Sequence, residues 1–92
     1  MTQLYLWALL NLHQPLTMDQ LARQTGMSQR TLIRRFNTET GQPPMRWLLE
    51  ARLSHARELL EFTDLTVEGV ARRCALATSA KFRKLFKEHV GV

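Results

Sequence analysis

The chain has 92 residues, of which 45% are hydrophobic, with a formal net charge of +5 and a sequence pI of about 10.4. A chain of this length has room for one small core, which argues against a catalytic domain with its own substrate pocket, and its hydrophobic fraction argues against disorder. The positive charge favours a polyanionic partner.

Cysteine, histidine and apolar runs narrow the class further. The single cysteine, Cys74, excludes an internal disulfide, and no cluster of cysteine and histidine has the spacing of a zinc site. The apolar run from Leu4 to Leu12 is too short for a membrane span and lacks the basic stretch of a signal peptide. We therefore expect a cytoplasmic protein that does not associate with membranes and needs neither a metal nor a cofactor.

The first predicted helix runs from about Thr2 to His13 and ends before a proline. Leucines recur along it at helical spacing, so we expect one apolar stripe to face the rest of the protein. The residues of that stripe are Leu6, Leu9, Leu10 and Trp7.

A tight turn between two helices is predicted around residue 26. Thr17 and Gln20 have the spacing of a capping box, which marks the start of the helix before the turn. Gly26 occupies the position where a helix end needs a left-handed residue, and Ser28 is suited to cap the helix that follows.

The helix after the turn continues to about Thr40, with Leu32 and Phe36 pointing inward. Two prolines then suit the first turn of a long amphipathic helix from about Met45 to Phe62. At 1.5 Å per residue this connecting helix spans on the order of 25 Å.

The pattern of the first turn returns in the second half of the chain. Residues 16–23, LTMDQLAR, reappear as residues 65–72, LTVEGVAR. The repeat predicts a fifth helix that begins after Thr66 and ends near Cys74, and a sixth over about residues 79–89. Ala75 occupies the place of Gly26, and a left-handed alanine costs roughly 1 kcal/mol.

Six helices in this order predict an all-α fold with two helix-turn-helix lobes, similar to homeodomain repeats, joined by a long helix. We assign residues 1–44 to the first lobe, 45–62 to the connecting helix, and 63–92 to a second lobe truncated at its C-terminal end.

The positive charge is concentrated on the second helix of each lobe. Residues 28–40 and 78–89 contain seven of the thirteen basic residues, and the only acidic residues there are Glu39 and Glu88. The seven basic residues are Arg30, Arg34, Arg35, Lys81, Arg83, Lys84 and Lys87. In a helix-turn-helix protein the second helix lies in the major groove of DNA, so this distribution favours DNA binding.

A spaced set of residues covers nearly the whole chain: Leu21, Ala22, Gly26, Met27, Ser28, Arg30, Leu32, Arg34, Phe36, Gly41, Pro44, Arg52, Leu53, Ala56, Leu59, Leu60, Val70, Ala71, Cys74, Phe82, Phe86, Lys87 and Gly91. This set resembles the DNA-binding domain of the AraC/XylS family of bacterial transcription regulators. Residues 27–32 and 46–49 are most similar to members with an amidotransferase-like N-terminal domain of the PfpI type.

The chain departs from the family pattern at three points. The family usually has Gly-Phe where this chain has Ala75 and Leu76, it usually continues beyond Gly91, and its members usually carry a separate sensing or dimerisation domain. We therefore expect either a DNA-binding fragment or a single-domain member truncated at its end, monomeric by itself.

The resemblance implies two sets of base-facing positions, and helical spacing independently groups Arg30, Ile33 and Arg34 on one surface. Arginine can pair with guanine and isoleucine can pack on a thymine methyl. The implied positions are Gln29, Arg30, Ile33 and Arg34 in the first lobe and Ser79, Ala80, Arg83 and Lys84 in the second.

Phosphates are expected to be bound by basic side chains and by the amide groups at two helix starts. The predicted residues are Thr17, Arg35, Arg52, Thr66, Lys81 and Lys87. For Arg52, which lies on the connecting helix, an intramolecular salt bridge is the alternative.

These observations predict sequence-specific binding to double-stranded DNA in transcription regulation, with the two reading helices in successive major grooves. The alternative is a protein-interaction module that docks on an acidic partner such as RNA polymerase, which an activator must also contact. An enzyme is not predicted, because no phosphate loop, nucleophile motif or carboxylate pair is present. RNA binding is disfavoured because no aromatic residues interleave with the basic ones.

Overall fold

The computed structural model describes residues 1–76 and Lys84, and within them every regular element is an α-helix. The five helices are α1 (Thr2–Leu10), α2 (Met18–Thr25), α3 (Gln29–Thr40), α4 (Pro44–Phe62) and α5 (Val67–Arg73). The predicted all-α class is confirmed. The predicted sixth helix lies outside the described residues except for Lys84, which is helical.

The capping box at the start of α2 is formed as predicted. The amide of Gln20 donates to Thr17 Oγ1 at 3.2 Å, and the Gln20 side chain accepts from the Thr17 amide at 2.8 Å. At the other end of α2, Gly26 adopts the left-handed conformation with φ +70°. Both ends of the helix are therefore determined by residues next to it in the sequence.

The boundaries of α3 and the start of α4 have equally local causes. Ser28 Oγ accepts from the Thr31 amide at 3.2 Å, and the left-handed Gly41, with φ +79°, follows the last turn of α3. Pro44 is the first residue of α4, where its missing amide hydrogen leaves no helix bond unmade. This short connection places α4 directly against α3.

The helix α5 ends in a Schellman motif built on alanine. Ala75 has φ +54°, as its equivalence with Gly26 predicts. The Leu76 amide donates to the Ala71 carbonyl at 2.9 Å, and the Ala75 amide donates to the Arg72 carbonyl at 3.3 Å. The second turn thus keeps the left-handed geometry without glycine.

The core of the first lobe joins α1, α2, α3 and the start of α4. Trp47 packs on it between two aromatic rings, with ring centroids 5.3 Å from Tyr5 and 5.5 Å from Phe36. Trp47 thereby anchors the connecting helix to the first lobe. The buried residues are Leu4, Leu21, Ala22, Leu32 and Phe36 in one cluster, and Ala8, Leu12, Leu16 and Leu48 in the adjoining one.

The helix α4 contributes to two separate cores. Leu48, near its start, belongs to the first lobe, whereas Leu53 and Ala56 pack with α5. The remaining buried residues of that second cluster are Val70, Ala71 and Cys74. A single helix therefore carries the packing from one lobe to the other.

The prediction for the buried face of α1 is wrong for its leucines. Leu6, Leu9 and Leu10 are 57%, 47% and 77% exposed, while Leu4 and Ala8 are buried. Almost every residue of α1 is apolar, so periodicity could not identify the inner face. Small Ala8 allows close packing in the cluster that contains Leu48. The helix also ends at Leu10, before His13.

Candidate nucleic-acid interface

The helix α3 presents one face to the core and another to solvent. Leu32 and Phe36 are 0% and 1% exposed, whereas the four predicted base-facing residues of this helix are all exposed. These four are Gln29, Arg30, Ile33 and Arg34. At 3.6 residues per turn, they lie on one continuous surface that begins directly after the interhelical turn. We call this surface the α3 face.

The arginines of the α3 face carry unpaired charge. Within residues 1–76, neither Arg30 nor Arg34 forms an ion pair. By contrast, three arginines on α2 and α4 form ion pairs with an acid four residues away: Arg23 with Asp19, Arg46 with Glu50 and Arg57 with Glu61. The local charge of α2 and α4 is thereby partly neutralised, and the positive potential of the α3 face is not.

Arg35 is exposed but lies on another side of α3. Two residues correspond to about 200° of helical rotation, so Arg35 lies almost opposite Ile33. It lines a surface pocket of about 380 Å³ with the start of α1 and the end of α2, where Gln24, Thr25 and Met27 also contribute. Its predicted phosphate contact would therefore have to be made at a flank of α3.

At the two helix starts predicted to bind phosphate, the threonine hydroxyl group caps its own helix. Thr17 Oγ1 accepts from the Gln20 amide at 3.2 Å, and Thr66 Oγ1 accepts from the Gly69 amide at 3.0 Å. Both side chains are exposed. The first amides of α2 and α5 have no carbonyl partner within their own helix. Such amides at a helix N-terminus can donate hydrogen bonds to an anion.

Arg52 is a correction to the predicted phosphate set. Its side chain is 9% exposed, and Nη2 donates to the backbone carbonyl of Gln14 at 2.6 Å. Burial lowers the pKa of this guanidinium. Within residues 1–76 no acidic group forms the alternative salt bridge, and the bonded group is a carbonyl between α1 and α2. Sequence reasoning missed this because Gln14 is 38 positions away.

Most of the predicted interface of the second lobe lies outside the described residues. Lys84 is described, and it is helical and exposed. The predicted positions outside the described residues are Ser79, Ala80, Lys81, Arg83 and Lys87.

Asn37 is a candidate that the sequence did not single out. It is exposed and lies four residues, about one turn, after Ile33 on the α3 face. Its Nδ2 donates to the Ile33 carbonyl at 3.0 Å, which restrains the side-chain amide. The i+4 spacing from Ile33 was the available signal.

The described part of the chain contains neither a metal-binding cluster nor a membrane-spanning helix. No group of three or more histidine, cysteine, aspartate or glutamate side chains there could hold a metal ion. None of the helices at residues 1–76 is long and apolar enough to cross a membrane.

Comparison with known proteins identifies similar chains. The model of a family described as "Helix-turn-helix domain" matches residues 21–92. The transcriptional regulator GbdR of Pseudomonas aeruginosa is 34% identical over 82 residues, which cover 89% of this chain and 22% of GbdR. The transcriptional activator RhaS of Klebsiella pneumoniae is 36% identical over 87 residues, which cover 95% of this chain and 31% of RhaS. The chain thus spans less than a third of either relative.

Solved structures of the same architecture include a complex with DNA. The DNA-binding domain of the transcriptional factor AdpA, bound to a target DNA, has a TM-score of 0.93 and 37% identity, covering 98% of this chain and 81% of that one. An AraC-type DNA-binding regulator from Chromobacterium violaceum has a TM-score of 0.94 and 28% identity, covering 99% of this chain and 81% of that one.

Proposed function

The chain belongs to the AraC/XylS family of helix-turn-helix transcription regulators, and from this premise we propose that it binds double-stranded DNA in a sequence-specific manner. The observation that carries the proposal is the α3 face, where Arg30 and Arg34 are exposed and unpaired within residues 1–76. If the N-terminal half of α3 lies in the major groove, both guanidinium groups come close to the edges of the bases.

Each side chain of the α3 face has a chemistry that suits a base edge. An arginine can donate two bonds to guanine O6 and N7, and Ile33 can pack on the methyl group of thymine. Gln29 and Asn37 have amide groups that suit adenine N6 and N7. We propose that Arg30 and Arg34 specify sequence most strongly, since each good bidentate pair discriminates by about 1–3 kcal/mol.

The second lobe is proposed to anchor more than to read. Of its base-facing positions, Ser79 and Ala80 are small, which leaves Arg83 and Lys84 as the long donors. Phosphates would be bound sequence-independently. The proposed phosphate contacts are the flanking Arg35, the starts of α2 and α5 at Thr17 and Thr66, and Lys81 and Lys87.

The length of α4 bears on how both lobes engage DNA. Its 19 residues span about 28 Å, shorter than the roughly 34 Å between successive major-groove faces. Two reading helices separated by this length would not both fit straight DNA, so either the duplex bends or one helix disengages. We propose that the duplex bends when both lobes are bound, which phase-dependent gel mobility would detect.

Selection of bound duplexes from a random pool tests the proposal, followed by titration of the selected site and of single-base variants. We expect Arg34→Ala to weaken binding by about 5- to 150-fold and to relax preference at one base pair. Arg35→Ala is the matched control, because it removes the same charge from the neighbouring exposed position but from another side of α3. It should weaken all duplexes equally and leave base preference unchanged. Equal enrichment of all sequences by the natural chain would refute the proposal.

The same exposed arginines would also serve a protein-docking role on an acidic partner such as RNA polymerase. Salt-sensitive binding that distinguishes duplex sequences separates the two roles, because docking on protein does not depend on base sequence. We propose DNA as the primary partner, with a monomeric domain that acts in the cytoplasm by binding and not by catalysis.

A further inference from the structure

Arg52 lies at the junction of the two lobes. Leu48, Arg52 and Ala56 follow one another at intervals of four residues and therefore share one face of α4. Leu48 packs in the first lobe and Ala56 in the second, so the polar residue interrupts this buried face where the two cores meet.

The guanidinium of Arg52 binds the first lobe from the helix that also packs against the second. Nη2 donates at 2.6 Å to the carbonyl of Gln14, which belongs to the α1–α2 connection of the first lobe. The same helix holds Leu53 and Ala56 against α5, in the buried cluster that contains Cys74. Another donor of the same group, Nε, is buried and has no hydrogen-bond partner among the described residues.

Stability alone does not account for an arginine at this position. A desolvated charge with an unsatisfied donor is costly, and buried charges are often replaced by apolar residues of similar volume without loss of stability. A directional bond to a fixed carbonyl does constrain geometry, because the planar guanidinium limits the angles at which it can donate. The bond therefore restrains rotation of the first lobe about α4.

We propose that Arg52 is a positioning residue that sets the relative orientation of the two lobes and thereby determines which spacing between two blocks of bases the protein accepts. This inference rests on the proposed function of two-lobe DNA reading. One added base pair rotates one block about 34° relative to the other and displaces it by about 3.4 Å. Only a protein with a restrained inter-lobe angle discriminates against that change.

The test uses the chain and three substitutions. Arg52→Met removes the directional bond and keeps an unbranched side chain, Arg52→Lys keeps the charge without the planar fork, and Arg57→Met is the control. Arg57 is exposed on α4 and bonded to Glu61, so its replacement changes net charge equally without touching the junction. The probes are the selected duplex, the same duplex with its spacer one base pair longer or shorter, and a duplex with the first block alone.

The natural chain and Arg57→Met should lose about tenfold in affinity or more when the spacer changes, comparable to a mismatch within a block. Arg52→Met should bind all three spacers within about threefold and the single block as the natural chain does. That single-block affinity separates lost positioning from general damage to the first lobe.

An unchanged spacer profile in folded Arg52→Met would overturn the inference, as would a natural chain that is indifferent to spacer length while still selecting sequence. If circular dichroism shows Arg52→Met unfolded, Arg52→Lys decides: a flattened profile supports the inference and a retained one overturns it. A natural chain that selects no sequence at all is a different failure, since it removes the proposed function as well.

Discussion

The two interhelical turns are equivalent in the repeat, yet one has glycine and the other alanine in the left-handed conformation. Gly26 has φ +70° and Ala75 has φ +54°. Beyond its chain neighbours, a Cβ atom at Gly26 would meet no heavy atom within 4 Å. Gly26→Ala therefore adds backbone strain without a clash, and the pair Gly26→Ala and Ala75→Gly isolates the free energy of the left-handed conformation.

The expected magnitudes follow from three terms. A left-handed alanine costs about 1–2 kcal/mol, and glycine costs about 0.4–1 kcal/mol more than alanine in conformational entropy on folding. Near the middle of these two ranges, the difference for Gly26→Ala is a loss of about 0.5–1 kcal/mol in the free energy of unfolding. For Ala75→Gly the sign reverses, but a half-buried methyl worth about 0.4 kcal/mol is deleted, so the net gain is about 0.4 kcal/mol.

Thermal unfolding followed by circular dichroism measures both changes. In a chain of this size 1 kcal/mol shifts Tm by about 4–8 °C, so Gly26→Ala should lower Tm by about 2–8 °C and Ala75→Gly should raise it by about 2–3 °C. Gly41→Ala should repeat the loss, since Gly41 also has a positive φ and no neighbour within 4 Å of a Cβ. A Gly26→Ala chain as stable as the natural one would refute the reasoning.

The other predictions concern local caps, the aromatic core and the thiol. Thr17→Ala should reduce the free energy of unfolding in urea by about 1 kcal/mol, and Thr17→Ser should retain it because the accepting hydroxyl remains. Trp47→Ala should reduce the free energy of unfolding by about 2–3 kcal/mol in the same assay, because Trp47 packs on Phe36. The control Phe62→Ala should reduce it by less than about 0.5 kcal/mol, because Phe62 is 80% exposed. Equal losses in the two variants would contradict the packing of Trp47. Burial raises the pKa of the Cys74 thiol, so stability should decline as pH rises above the value of an unfolded thiol, and Cys74→Ala should abolish that decline. A decline of equal size in Cys74→Ala would assign it to other groups.

Much of the fold was predictable because its causes lie within a few residues of sequence. The capping box of Thr17 and Gln20, the left-handed Gly26 and the proline start of α4 are each determined by bonds or dihedral angles that neighbouring residues define. The repeat extended this reasoning to Ala75, for which alanine itself would not predict a left-handed conformation.

Part of the candidate interface was also predictable from residues that are close together in the sequence. Leu32 and Phe36 define the inner side of α3, so the outward position of Arg30 and Arg34 follows from helical geometry. Their contacts with bases stay a prediction. Asn37 was missed, although the same geometry places it on the α3 face.

The sequence by itself determined the boundaries of α2 and α3 and which side of α3 faces solvent, because these depend on hydrogen bonds and side-chain spacing within about one turn. Only the tertiary structure decided which side of the almost uniformly apolar α1 is buried, and that Arg52 turns inward to the Gln14 carbonyl. Both outcomes depend on which distant segments pack together, and that information is absent from any local pattern of residues.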